Sequence, residues 1–178
     1  MKMSKNSTIK QKRSGKIIPA LMRIIGAAVI IVCIAISMVF AIPRVLGYEM
    51  YNVVSGSMEP TIPVGSMIYV KSADGENIRE GDIIAFVSGS SVITHRVTEN
   101  NLEKHELTTK GDANELEDFS KVPYFNLIGV VKFHVPELGI WGGYFSTFSG
   151  KAYLLAAIAF GFILNTVGDR LDPKKGAE

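Results

Sequence analysis

Apolar and polar positions along the chain fall into three regimes. From Ile24 to Ile42 there is no charged residue, and Ile, Val and Ala dominate. About 20 such residues cross a bilayer core as an α-helix, and Ser37 and Cys33 are tolerable within one. A second apolar run, Ala152 to Val167, is shorter and contains Gly161 and Asn165. It is apolar all round rather than striped, which argues against an amphipathic core helix. Tyr144, Phe145, Phe148 and Tyr153 precede it like an interfacial aromatic belt. The segment between the two runs is long enough for one small domain with its own core. Short stretches rich in β-branched residues recur there: Tyr48 to Val54, Ser66 to Lys71, Asp82 to Val87, Val92 to Thr98, Glu106 to Lys110 and Leu127 to Val135. Turn signals separate them, among them Pro63-Val64-Gly65, Glu80-Gly81-Asp82, Ser88-Gly89-Ser90 and Lys110-Gly111-Asp112. Regularly punctuated short strands predict a mainly β domain, an antiparallel sheet or barrel, flanked by two transmembrane helices.

Charge orients this arrangement. The net charge is only +2, yet Lys2, Lys5, Lys10, Lys12, Arg13, Lys16 and Arg23 precede the first run with no acidic residue among them. No aromatic residue is interleaved with these cations, so they read as a cytoplasmic flank rather than a nucleic-acid site. Met1 to Lys16 is expected to be disordered. Arg170, Lys174 and Lys175 follow the second run, so both termini are expected on the cytoplasmic side. The expected plan is a basic tail (1–23), helix 1 (24–43), an extracytoplasmic β domain (44–151), helix 2 (152–168) and a second tail (169–178). Val39-Phe40-Ala41 would pass as a signal-peptide cleavage site, but the apolar stretch exceeds the roughly 7–15 residues of a signal core. Pro43 is expected to end the helix, and the segment is read as an uncleaved anchor. Cys33 is the single cysteine. It excludes a disulfide or a cysteine metal cluster within one chain, and His95, His105 and His134 lack helical ligand spacing. Neither metal nor cofactor is expected.

The stretch Ser55-Gly56-Ser57-Met58-Glu59-Pro60-Thr61 follows apolar Val53-Val54. Gly56 is expected to take a backbone conformation closed to residues with a Cβ, and Pro60 to fix the turn's exit. Such a turn can present one hydroxyl, although most turn serines are only turn residues. Hydroxyl chemistry needs a base and donors for an oxyanion. His95 lies in Ile93-Thr94-His95-Arg96-Val97, where alternation points it inward with Ile93 and Val97. Inward histidines are more often structural, but imidazole is the side chain suited to general base work near neutrality. His105 sits in a polar loop and His134 at a strand end, and neither has a motif around it. Lys71 is the competing base, at a strand end beside a polar loop. Asp112 and Asp118 are both open as the group that orients an imidazole, and both can equally be turn or loop carboxylates.

Together these residues resemble type I signal peptidases, membrane-bound serine proteases that remove signal peptides from exported proteins. The resemblance covers about Tyr48 to Val131 and rests on four ordered boxes. Ser55 to Thr61 is similar to the nucleophile box, and Gly81-Asp82-Ile83-Ile84-Ala85-Phe86 to the next strand. Thr94-His95-Arg96-Val97 is similar to the base box and Thr109-Lys110-Gly111-Asp112 to the acidic box. Histidine in the base box, where most bacterial members have lysine, resembles the endoplasmic-reticulum type shared with archaea and the W-type enzymes of Gram-positive bacteria. The resemblance implies Ser57 as nucleophile, His95 as base, Asp118 as its partner and Asp112 as a supporting carboxylate. It also implies Ser55 as side-chain oxyanion donor beside the Ser57 amide. The family commonly has Asn directly after the Gly-Asp pair; here it is Ala113, with Asn114 next. Implied partners are signal-peptide-bearing preproteins, membrane lipid and the secretion translocon, with no nucleic acid. Implied placement is a multi-pass protein of the cell membrane. Small side chains before the scissile bond would enter shallow apolar pockets walled by Met58 and the strands around Val53 and Ile68. The rival of another class is a non-catalytic membrane-anchored β domain that binds or assembles surface proteins.

Overall fold

The computed structural model describes residues 3–172. Residues Phe40–Ser146 form one compact unit, and the helical segments before and after it form another. In the first unit, seven strands make a single antiparallel sheet. They are β1 (Tyr48–Asn52), β2 (Met67–Lys71), β3 (Ile83–Ser88), β4 (Ser91–Asn101), β5 (Glu106–Lys110), β6 (Val122–Pro123) and β7 (Leu127–Val135). Their order across the sheet is β1-β2-β7-β3-β4-β5-β6. The six expected strands are all present. Gly65, Gly81 and Gly89, in three of the expected turns, have positive φ values that a side chain disfavours.

The sheet has apolar material on both faces. Successive residues of a strand point to opposite faces, and β3 and β7 show it. Ile84, Phe86 and Val130 join one buried cluster with Val97, Leu107 and Val122. Ala85 joins the other, with Met58, Ile62, Ile68 and Val70, and Val131 packs against it. The unbroken burial of Met67–Val70 in β2 and of residues 84–86 in β3 follows from this double cover.

Two elements lay outside the sequence reading. Strand β6 is two residues long and contains Pro123. It forms an edge of the sheet, where a residue without an amide hydrogen is tolerated. Helix α2 (Leu138–Ser146) falls where only an aromatic belt was expected. Gly139, Gly142 and Gly143 give it poor helix propensity, but Gly139 makes its docking possible. A Cβ there would lie 2.4 Å from the Ser66 carbonyl oxygen, a backbone atom.

In the other unit, α1 (Met3–Val45) and α3 (Phe148–Arg170) are the long helices. Their stretches Ile17–Val45 and Phe148–Arg170 are long and apolar enough to cross a membrane. Helix α1 continues two residues past Pro43, and its backbone is helical from Met3, where disorder was expected. A Cβ at Gly26 would lie 2.6 Å from the Gly161 carbonyl oxygen, so the two helices approach closely there. Arg23 Nη1 pairs with Asp169 Oδ1 at 3.3 Å and Asp172 Oδ2 at 2.9 Å. The lysines of the basic tail, and Lys174 and Lys175, lie outside the residues whose side chains are described.

Candidate active site

The turn carrying Ser57 is held by its neighbours. Met58 and Ile62 are 2% and 1% exposed and plunge into the second cluster. The Ile62 amide closes the turn on the Met58 carbonyl at 2.8 Å, and the Glu59 amide on the Gly56 carbonyl at 3.0 Å. With those side chains fixed inward, Ser57 is left half-buried at the mouth of a groove. The expectation for Gly56 fails. Its backbone stays out of the left-handed region, and an added Cβ would meet only Glu59 at 3.5 Å, an ordinary contact.

The groove measures about 330 Å³. Ser55 and Ser57 lie on it, and Val53, Met58, Ile62 and Ile68 are among its apolar lining residues. Tyr51 is another wall. Burial, and then its bond to Glu49, pushes the phenol up to about 12, so it stays protonated. The far side of the groove is β4, from Ser91 to Thr94.

His95 is buried on β4, facing inward as alternation predicted. Its Nδ1 meets Asp118 Oδ2 at 2.5 Å. An ionised carboxylate can only accept, so Nδ1 is the donor in this bond, and in the neutral imidazole Nε2 is then the nitrogen with the lone pair. The same Oδ2 accepts from Thr109 Oγ1 at 2.6 Å, and the Asp118 amide donates to the Thr109 carbonyl at 2.8 Å. The fully buried Thr109 thus positions the carboxylate twice. Its part was not read from the sequence, although Thr109 stands in the acidic box.

Asp112 has a different partner. Arg96 grips it with Nε on Oδ1 at 2.8 Å and Nη2 on Oδ2 at 2.7 Å. This bond holds the Asp112 carboxyl below the usual range; burial opposes it, and Thr61, the Arg96 charge and His95 assist. The structure therefore separates two carboxylates that the residues alone left open. Because the folded value lies below the unfolded one, Asp112 stabilises the fold fully above about pH 4. That contribution fades as pH falls towards the folded value. Asp112→Asn is expected to lose on the order of 1 kcal/mol at neutral pH, and to narrow its deficit against wild type as pH drops below 4. Thermal unfolding of the detergent-solubilised chain from pH 3 to 7 measures this.

The acidic loop also reaches the serine turn. The Ala113 amide donates to the Ser57 carbonyl at 2.9 Å, and a Cβ at Gly111 would lie 2.6 Å from that oxygen. Position 113 contributes through its backbone, so Ala serves where Asn is common in the resembled family. Asn114 stacks behind, its amide bonded to the Gly111 carbonyl at 3.0 Å.

Lys71 is engaged elsewhere. Its Nζ donates to the Leu46 carbonyl at 2.8 Å, just past the end of α1, and lies over the Tyr48 ring. His105 packs against Tyr124, and His134 is on β7 opposite Ile68. None of the three lines the groove of Ser57. Among the described residues, no cluster of three or more His, Cys, Asp or Glu side chains is placed to hold a metal.

Fold and site together define a class. A mainly β domain gathers hydroxyl, imidazole and carboxylate groups around one strand, in a chain with two apolar helices of membrane-spanning length. The family model described as "Signal peptidase, peptidase S26" matches residues 21–115, and the chain belongs to that family. Similar curated proteins include the "Signal peptidase complex catalytic subunit SEC11" of Lodderomyces elongisporus, 39% identical over 99 residues, 49% of this chain and 59% of that protein. "Signal peptidase I W" of Bacillus subtilis is 38% identical over 84 residues, 45% of this chain and 44% of that protein. SEC11 of Candida albicans is 38% identical over 99 residues, with the same coverage as the first. The chain spans about half the length of the curated relatives it matches.

Proposed function

We propose that the chain is a membrane-bound serine endopeptidase that removes signal peptides from exported preproteins. The observation that carries this reading is the His95–Asp118 bond on β4, beside the groove on which Ser57 and Ser55 lie. Ser57 Oγ attacks the carbonyl carbon of the scissile peptide bond, and His95 Nε2 takes its proton. The Ser57 amide and the Ser55 hydroxyl hold the oxyanion. As the tetrahedral intermediate collapses, His95 returns the proton to the leaving amine, which departs as the new N-terminus of the mature protein. Water then attacks the acyl-serine by the same base and frees the signal peptide. Asp118 fixes the imidazole tautomer, and Thr109 fixes Asp118.

The apolar walls beside Ser57 take the small side chain before the bond. The two apolar helices lie in the lipid bilayer, with both termini cytoplasmic and the β domain outside, where the translocon delivers preproteins. Substrate and enzyme anchored in one membrane gain effective concentration without extra contacts.

The test is precursor cleavage by the purified full chain in liposomes, with N-terminal sequencing of the product. Cleavage after a small residue is expected, and Lys71→Ala should retain it. A non-catalytic β domain would cut nothing, and a Ser–Lys hydrolase would lose activity with Lys71→Ala.

A further inference from the structure

The groove on the His95 side is not used as a substrate pocket in the function proposed above. It measures about 380 Å³, and His95 and Asp118 line it with Phe86, Val87, Ile93 and Phe119. Phe119 directly follows Asp118 and is 102% exposed.

Strand register says what reaches this groove. From Ser91 to His95, β4 pairs with β3 on one side. Strand β5 joins β4 only from Arg96 onward, so the other side of Ser91–His95 is an open edge among the described residues. The open edge separates the two grooves. Thr94 and Val92 line the groove of Ser57, His95 lines the other, and Ile93 touches both. A peptide added to this edge continues the sheet, and its successive side chains fall alternately to the two faces. Its backbone then runs between Ser57 and His95, where the chemistry needs the scissile bond.

We propose that the second groove receives the side chain of the second residue before the scissile bond, and that Phe119 is its specificity-determining wall. This rests on the proposed function, in which the residue just before the bond sits in the groove of Ser57. Alternation then sends the third residue before the bond to the groove of Ser57 and the second to the groove of His95. The volume accommodates a leucine or phenylalanine side chain; the lining also carries Ser88, Ser120, Lys121 and Asn126, and its apolar part, Phe86, Val87, Ile93 and Phe119, favours such a side chain over glycine.

The experiment uses the full chain in liposomes and precursors that differ only at the second residue before the bond, Gly against Leu. Wild type is expected to prefer Leu in kcat/KM, and Phe119→Ala to cut the Leu-to-Gly ratio about fivefold, carried by KM. Phe119 is fully exposed, so its truncation leaves the core intact. In parallel, a photo-crosslinking residue at the second position before the bond is expected to label segments 86–95 or 118–126 of a Ser57→Ala chain. The same probe at the third position should label 51–68. Cleavage that is flat across the precursor series and insensitive to Phe119→Ala overturns the subsite and leaves the protease reading standing. Labelling of the second groove only from residues after the bond does the same. No cleavage of any precursor by wild type overturns the function and the subsite together.

Discussion

Ser57→Ala and His95→Ala are each expected to reduce precursor cleavage by about four to six orders of magnitude, with little change in KM. In the proposed mechanism Ser57 supplies the bond-forming oxygen. Ser55 lies on the same groove but two residues earlier in the turn, outside the stretch that Met58 and Ile62 pin. His95 is the one imidazole in contact with a carboxylate through Nδ1 among the described residues. In that mechanism the two side chains work as a unit, so the double variant should lose no more than either single one. Rates of the purified variants on one precursor, measured alongside unfolding midpoints, check this. A Ser57→Ala chain that still cleaves would overturn the catalytic assignment.

The second large effect separates the carboxylates. Asp118→Asn is expected to lower kcat by about a hundred- to ten-thousandfold. The amide can offer its NH₂ to Nδ1, which leaves the wrong tautomer facing the serine. Asp112→Asn is expected to cost about tenfold or less in kcat. Its contacts are with Arg96 and Thr61, so its loss is chiefly one of stability. Thr109→Val, which keeps the shape but removes the hydroxyl from Asp118, should fall between the two. Single-turnover rates across the three variants give the order. If Asp112→Asn proves as damaging as Asp118→Asn, the roles given to the two residues are wrong.

The features legible in the sequence are those set by local period. Alternation through Ile93, His95 and Val97 placed the imidazole inward, and the glycines at 65, 81 and 89 marked real turns. The span-length helices were legible because an uninterrupted apolar run needs no tertiary context to be recognised. What escaped depends on contacts between distant residues. Helix α2 runs against its own propensity where Gly139 comes close to the backbone of Gly65 and Ser66, just before β2, and no local signal carries that. Residue types alone left Asp112 and Asp118 both open; that Asp118 is the one in contact with His95 depends on the bond from its amide to Thr109 and on the Arg96 fork that holds Asp112. The open edge of β4 is a matter of register, since β5 could have started its pairing at any residue. Gly56 was misread for the opposite reason, since glycine there answers no constraint the structure reveals.

The loop between Gly111 and Asp118 is tied at both ends, by Ala113 to the serine turn and by Asp118 to β5. Residues 114–117, between those ties, are exposed. Ser57 and the carboxylate that meets His95 therefore share one short tether. Its anchor points act like two bolts on a bracket, and the span between them is free of the working parts. Related chains can be expected to drift in composition there while keeping the distance between the bolts, so spacing rather than residue identity is what inheritance must preserve in this loop.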